Sequence, residues 1–196
     1  MPIFCNNYQF LGNIYLNQFL YSIYMHVEFI CTGGTIDKDY ASSAGTHNFD
    51  IGNPAFDRML KSINLNFDYA INSILKKDSL DLTDEDRNLI YYACIKSKYE
   101  KIIISHGTDT MIKTANRLSA IKNKVIILFG AAKPEKFYDS DARFNLGVAI
   151  GAINLLDNGL YIAMNGRVYN WDKCEKRTAD GMFIEKISEL SFCDSL

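Results

Sequence analysis

Short apolar runs alternate with polar or amphipathic segments along the chain from Val27 onward. Charged residues, Gly or Asn bound each run, as expected for buried strands. The clearest predicted strands are Val27–Thr32, Lys101–Ser105, Lys124–Phe129 and Leu160–Met164, with a weaker one near Tyr69–Leu75. Apolar strands separated by helical segments are typical of a parallel sheet covered by helices on both faces. The predicted fold class is therefore α/β, a single-domain three-layer sandwich.

Helices are predicted after Pro54, after Thr83, after Thr110, and from about Arg143 to Leu156. Thr83 precedes acidic residues, which is a favourable helix start. Parallel strands joined through helices are connected by right-handed crossovers. Ligands in such sheets bind beyond the carboxyl ends of the strands, so the loops at that edge are where we look for chemistry.

Composition agrees with a soluble domain and does not indicate nucleic acid as a partner. The chain has 196 residues, 48% of them hydrophobic and 22% charged, with 23 acidic against 21 basic residues. This length fits one domain with a substantial core, and the balanced charge leaves no strong global field. The five cysteines (Cys5, Cys31, Cys94, Cys174 and Cys193) form no CxxC pair. We interpret them as reduced thiols and expect a cytoplasmic protein.

Residues 1–24 contain many aromatic residues but no Lys or Arg, and no long uninterrupted apolar run. They lack the basic segment of a signal peptide and the length of a membrane span, so we predict neither. An apolar strand opens two residues after Met25, which makes Met25 an alternative start. The predicted domain covers residues 25–196, and residues 1–24 are an extension outside it.

The first chemical motif, Thr32–Ile36 (TGGTI), directly follows a predicted strand. Its paired glycines allow a tight turn and a close approach of the backbone to a ligand. A phosphate-binding loop is disfavoured because the turn runs into Asp37–Asp39 without a GK[ST] sequence. A purely structural turn stays open as an interpretation.

The second motif, Ser105–Met111 (SHGTDTM), follows another predicted strand and leads into a helix. Asp109 or Thr110 would also serve as an ordinary helix cap at this place. Capping does not explain why both motifs occur together.

Four motifs in order resemble the N-terminal domain of the asparaginase/glutaminase family: TGGTI, HGTDT, GAAKP at 130–134 and SDARFNL at 140–146. The resemblance runs from about Val27 to Lys176. It is greatest to small single-domain members that share KDSLDLTDED at 77–86 and MNGRV at 164–168. It implies a flavodoxin- or Rossmann-like sandwich and amidohydrolase chemistry.

The resemblance implies that the catalytic residues are Thr35, Thr108, Asp109 and Lys176. Thr35 would attack the amide carbon and form an acyl-enzyme, while a backbone N–H near Thr108 stabilises the oxyanion. Thr108, Lys176 and Asp109 would supply the proton relay. Lys176 acts as a base only when neutral, and Asp109 nearby favours its charged form, so the protonation state stays open. Which threonine attacks first also stays open.

Substrate binding is expected at Ser79, Asp109, Gly107 and Ala131. By resemblance, Ser79 would hold an α-carboxylate and Asp109 an α-ammonium group. Ser79 as an ordinary loop residue is the alternative. The three histidines, His26, His47 and His106, are scattered, so we expect no metal and no cofactor.

Some positions depart from the family pattern. Phe49 stands where the family usually carries a tyrosine that assists Thr35, and Tyr40 is a candidate substitute. Tyr40 directly precedes Ala41–Phe49, a polar loop that ends with Phe49 and that we interpret as a lid. Leu80 replaces a glutamine beside the substrate serine. About twenty residues follow Lys176, so we expect the second domain of the larger enzymes to be missing.

Three hypotheses follow from these features. The first is an amidohydrolase that converts L-asparagine, or a related small amide, to the acid and ammonia. The second is a non-catalytic module that binds asparagine or aspartate. The third is an amidase subunit that requires a partner chain. Because the family assembles through exposed domain surfaces, we also expect a homodimer.

Overall fold

A computed structural model of the protein describes residues 25–40 and 49–186. Its strands are β1 (His26–Gly33), β2 (Lys38–Tyr40), β3 (Phe49–Ile51), β4 (Asp68–Lys77), β5 (Lys101–Ser105), β6 (Val125–Phe129), β7 (Gly159–Met164), β8 (Arg167–Asn170), β9 (Cys174–Lys176) and β10 (Phe183–Glu185). Its α-helices are α1 (Ala55–Lys61), α2 (Asp84–Lys96), α3 (Met111–Leu118) and α4 (Ala142–Ile153). The predicted extension, residues 1–24, lies outside the described residues.

Six strands form the central sheet in the order β4-β1-β5-β6-β7-β8. All neighbouring strands run parallel except β8, which pairs antiparallel with β7 and closes one edge. The strands β2 and β3 form a separate antiparallel pair, and so do β9 and β10. The carboxyl ends of β1, β4, β5 and β6 therefore meet at one edge, where their loops converge.

The alternation of side chains along the strands divides the core into two halves. Phe29 of β1 and Ile127 of β6 belong to the half that packs on α1 and α4. Ile30 of β1 and Ile126 of β6 belong to the half that packs on α2 and α3. Neighbouring residues of a strand point to opposite faces, so each buried strand contributes to both halves. The fold is thus a three-layer α/β sandwich, as predicted.

The predicted elements are confirmed with small changes in their limits. The four strong strands differ by at most one residue at either end, and β4 extends beyond the predicted Tyr69–Leu75. Thr83 and Asp86 form a reciprocal capping box at the start of α2. The sequence did not predict β8 or the two small antiparallel pairs. No helix reaches the length and apolarity needed to cross a membrane within residues 25–40 and 49–186.

Asp37 joins the turn after β1 to the first helix. Its side chain is buried and accepts a 2.7 Å hydrogen bond from the backbone N–H of Ala55, at the start of α1. Its backbone oxygen accepts a second bond from Gly52. Burial raises the pKa of Asp37 from 3.8 to about 6, although the Ala55 N–H and the charge of Arg58 oppose this shift.

We predict that Asp37→Asn changes the pH dependence of stability. The native carboxyl binds its proton more tightly than the unfolded one, so this residue's contribution to stability declines as pH rises from about 4 to about 6. Asparagine keeps an acceptor for the Ala55 N–H but does not ionise. Relative to wild type, the variant should gain up to about 1.4 kcal/mol per pH unit across that window.

Urea denaturation at several pH values between 4 and 7 measures this difference. Asp172→Asn, a change at an exposed carboxyl, controls for the loss of one negative charge. A difference between Asp37→Asn and wild type that stays constant from pH 4 to 7 would contradict the prediction.

Candidate active site

The turn after β1 brings its backbone into direct contact with two neighbouring loops. Gly33 and Gly34 have φ values of 99° and 89°, a region that favours glycine. A Cβ atom on Gly34 would lie 2.4 Å from the backbone nitrogen of Gly107, and one on Gly33 would lie 2.5 Å from the carbonyl oxygen of Lys77. The glycines are therefore required for packing, and Thr35 begins a short 3₁₀ turn at the point of contact.

No α-helix follows this turn within residues 35–40. The 3₁₀ turn Thr35–Asp37 leads directly into β2. A phosphate-binding loop presents its ligand to the N-terminus of a following helix. The geometry does not match that alternative.

Ser79 lies at the end of β4, in a 3₁₀ turn, and its side chain is almost fully buried. Its hydroxyl has no hydrogen-bond partner among residues 25–40 and 49–186. A Cβ atom on Gly107 would lie 2.6 Å from this hydroxyl, so the two loops are in close contact. Thr110 holds the Ser79 turn by donating a 2.6 Å bond to the Ser79 carbonyl oxygen. A buried hydroxyl without a partner is costly, and a ligand or an ordered water that accepts its hydrogen bond would lower that cost.

Lys176 connects the two residues that follow Gly107. Its ammonium nitrogen lies 2.9 Å from Oγ1 of Thr108 and 2.6 Å from Oδ1 of Asp109. The Lys176 side chain is one quarter exposed and that of Asp109 about half exposed. The charged groups are therefore in contact with each other and accessible to a small molecule.

The hairpin of β9 and β10 positions Lys176. Phe183 of β10 pairs with Lys176 and is buried in the core. Its carbonyl oxygen accepts a 2.8 Å bond from the Tyr169 hydroxyl, and its N–H donates to the Asn165 side chain. Gly181, with φ at 73°, allows the tight turn between the two strands. Lys176 thus projects from a strand that the core anchors.

The motifs GAAKP and SDARFNL pack against the same edge. A Cβ atom on Gly130 would lie 2.4 Å from the carbonyl oxygen of His106 and 3.3 Å from the Thr108 methyl group. Asn145 donates a 3.0 Å bond to the Gly130 carbonyl oxygen, and Asp141 accepts bonds from the backbone that follows buried Ala131. These two motifs hold the loop after β6 against Thr108.

Tyr40 and Phe49 lie opposite each other at the ends of β2 and β3. Their ring centroids are 5.0 Å apart, and both rings also contact Phe137. The three rings therefore form one aromatic cluster. The predicted lid, Ala41–Phe49, lies outside the described residues except for Phe49.

Two features of the site were not predicted. Lys38, on β2, forms a 2.6 Å ion pair with Asp78, directly before Ser79. Burial favours the neutral form of Asp78, but hydrogen bonds from Lys38 and from Leu80 outweigh it and lower its pKa. His106 is completely buried beneath the loop that carries Thr108. The sequence signals that were available are a lysine two residues after the TGGTI motif and a histidine inside the HGTDT motif.

The structure thus brings Thr108, Asp109 and Lys176 into direct contact, with Ser79 against Gly107 and Gly34 against the same loop. Within the described parts of the chain, no group of three or more His, Cys, Asp or Glu residues could hold a metal ion.

Residues 26–183 match the model of the family described as Asparaginase, N-terminal. A glutaminase-asparaginase of Acinetobacter glutaminasificans is 28% identical over 160 residues, which cover 74% of this chain and 47% of the relative. A subunit of the glutamyl-tRNA(Gln) amidotransferase of Methanococcus maripaludis is 32% identical over 155 residues, which cover 72% of this chain and 35% of the relative.

Among solved structures, L-asparaginase I of Vibrio cholerae superposes with a TM-score of 0.70 at 26% identity, covering 83% of this chain and 51% of that one. The chain therefore spans about half the length, or less, of the proteins it matches. The family model nonetheless covers most of the chain. This protein belongs to the asparaginase family, and the part of the family that it matches is the N-terminal domain.

Proposed function

We propose that this domain is an amidohydrolase that converts L-asparagine, or a related small amide, to the acid and ammonia. The observation that supports this best is the contact of the Lys176 ammonium with both the Thr108 hydroxyl and the Asp109 carboxylate. An alcohol near neutral pH reacts poorly until a neighbouring group handles its proton. Thr108 and Asp109 follow β5, and the turn that carries Thr35 follows β1, so both lie at the same edge of the sheet.

The reaction proceeds in two balanced steps. The hydroxyl oxygen of Thr35 bonds to the amide carbon, the carbon–nitrogen bond breaks, and the hydroxyl proton leaves with the nitrogen as ammonia. Water then attacks the resulting ester, releases the carboxylate and restores the hydroxyl. A backbone N–H near Thr108 stabilises the negative oxygen that forms in both steps.

Lys176 and Thr108 together transfer the protons. Because Oγ1 of Thr108 accepts a hydrogen bond from Lys176, its own hydrogen is directed elsewhere and is available to the leaving nitrogen. Lys176 replaces the proton that Thr108 gives up and regains one from the attacking Thr35 hydroxyl, so the relay delivers one proton in all to the nitrogen. Asp109 holds Lys176 in place and, on its exposed side, binds the α-ammonium group of the substrate.

Thr35→Val and Thr108→Val should each abolish ammonia release, because valine keeps the shape of threonine without its hydroxyl. We expect a loss on the order of a thousandfold or more in kcat/KM for L-asparagine. The assay measures ammonia from L-asparagine, L-glutamine and a panel of small amides. Thr178→Val, at an exposed position in the turn between β9 and β10, is the matched control.

The outcomes of this assay separate the hypotheses. Full activity in Thr35→Val would refute the mechanism. No ammonia from any amide, together with calorimetric binding of asparagine or aspartate to the wild type, would favour the non-catalytic binding module.

Ser79→Ala should weaken the binding of substrates that carry an α-carboxylate. The buried hydroxyl has no partner within the described residues, so it is free to donate to that carboxylate. We expect KM for L-asparagine to rise about tenfold while kcat changes little. 3-Aminopropanamide, which is L-asparagine without its α-carboxylate, should show the same KM with both proteins. An equal rise in KM for both substrates would contradict this role for Ser79.

A second candidate is an amidase subunit that acts with a partner chain. The relative in Methanococcus maripaludis, named as a subunit of an amidotransferase, supports it. The homodimer is the competing assembly, for which α2 offers an exposed apolar face at Leu89, Tyr92 and Ile95.

Native mass spectrometry of the protein purified from its own cells decides between these assemblies. We expect twice the mass of the chain and amidase activity in that species. A second polypeptide that co-purifies, and whose removal abolishes ammonia release, would replace the homodimer by the subunit hypothesis.

We also propose that the protein works in the cytoplasm. The three described cysteines, Cys31, Cys94 and Cys174, are free and buried. Burial raises the pKa of Cys94 to about 12 and that of Cys174 to about 11, which keeps both as unreactive thiols. Reduced, unpaired cysteines are typical of that compartment.

A further inference from the structure

His106 lies immediately after β5 and is fixed on all sides. It is completely buried, and its backbone N–H donates a 2.9 Å bond to the carbonyl oxygen of Phe129. Hypothetical Cβ atoms on Gly34 and Gly130 would lie 3.1 Å and 2.4 Å from its backbone carbonyl group. The histidine therefore has little freedom to move when a ligand binds at the edge of the sheet.

The two ring nitrogens of His106 have different partners. Nδ1 lies 2.7 Å from the carbonyl oxygen of Gly107, and Nε2 lies 2.8 Å from Oγ1 of Thr114. A carbonyl oxygen only accepts hydrogen bonds, so Nδ1 must carry the hydrogen. In the neutral ring Nε2 then accepts from the Thr114 hydroxyl. Burial lowers the pKa of His106 to about 4. The hydrogen bond to Gly107 acts in the opposite direction and raises the pKa, whereas the charge of Arg87 lowers it further.

The bond to Gly107 determines where the next N–H points. In a planar trans peptide, the C=O of one residue and the N–H of the next point in opposite directions. The Gly107 oxygen faces the buried ring and the peptide is trans, so the N–H of Thr108 faces away from the ring. Accepting a hydrogen bond at the carbonyl also polarises the peptide and strengthens its N–H as a donor.

We propose that His106 is a positioning residue, whose Nδ1–H bond to Gly107 orients the N–H of Thr108 as the donor for the negative oxygen formed during amide hydrolysis. This inference rests on the amidohydrolase function proposed above. His106 itself does not touch the substrate. It acts through the peptide between Gly107 and Thr108, which an unrestrained loop would be free to turn over.

Two substitutions of His106 separate orientation from mere packing. His106→Leu removes both ring contacts, and we expect kcat for the preferred amide to fall about a hundredfold, with KM within about threefold of wild type. His106→Asn keeps an N–H at a similar distance from the backbone. Its kcat should therefore be at least about tenfold higher than that of His106→Leu. Leu118→Ala, at the far end of α3, controls for a general loss of stability.

A wild-type kcat in folded His106→Leu would overturn the proposal, and so would a His106→Asn protein no more active than His106→Leu. A loss seen only in KM would overturn it as well, because an oxyanion donor acts on the transition state rather than on the bound amide.

¹⁵N NMR of the histidine rings in the full chain tests the geometry without any substrate. At neutral pH we expect the His106 signals of a neutral ring protonated at Nδ1, assigned by their absence in His106→Asn. A charged ring, or one protonated at Nε2, would overturn the orientation. If the wild type released no ammonia from any amide, the proposed function would fail, whereas the ring tautomer would still decide how the Gly107–Thr108 peptide is held.

Discussion

The close approach of backbones at one edge of the sheet is the constraint on which the site depends. Gly34 and Gly107 meet without room for a Cβ atom, and Gly107 meets Ser79 in the same way. Three loops that are far apart in the sequence are thereby held within van der Waals contact of one another. The loops meet because they follow β1, β4 and β5, which are parallel neighbours and end at the same edge of the sheet. The hydroxyls and N–H groups of the site take their positions from these contacts.

Charges near the site are already paired before a ligand binds. Lys176 pairs with Asp109 and Lys38 with Asp78, both at 2.6 Å, and the side chains are partly exposed in each case. Exposed pairs of this kind contribute little to stability. Under the proposed function they would act in recognition instead, because a ligand that carries both an anionic and a cationic group could pair with the cation of one pair and the anion of the other. A zwitterionic amino-acid amide fits that requirement better than a purely cationic or anionic one.

The sequence predicted the frame of the fold better than the contacts of the site. Buried strands such as Lys101–Ser105 are continuous apolar runs, so their limits follow from hydrophobicity alone. Strand β8 was missed because two of its four residues are exposed and its apolar pattern is short. The contact between Lys176 and Thr108 joins residues 68 positions apart, and no local pattern indicates it. That contact was expected only from the resemblance to a family. The burial of His106 was not expected at all, because a polar residue in a motif gives no sign of the side to which it faces.

The contrast between Ser79 and His106 explains how such a site can be both stable and receptive. Both side chains are buried, but the His106 ring has partners at both nitrogens, whereas the Ser79 hydroxyl has none within the described residues. An unsatisfied buried hydroxyl costs on the order of 1 to 3 kcal/mol. The surrounding turn, held by the bond from Thr110 to the Ser79 backbone, keeps the hydroxyl in this unfavourable position. A ligand that accepted its hydrogen bond would recover that free energy. Both ring nitrogens of His106 thus find hydrogen-bond partners within the protein, whereas the Ser79 hydroxyl would gain its partner from a bound substrate.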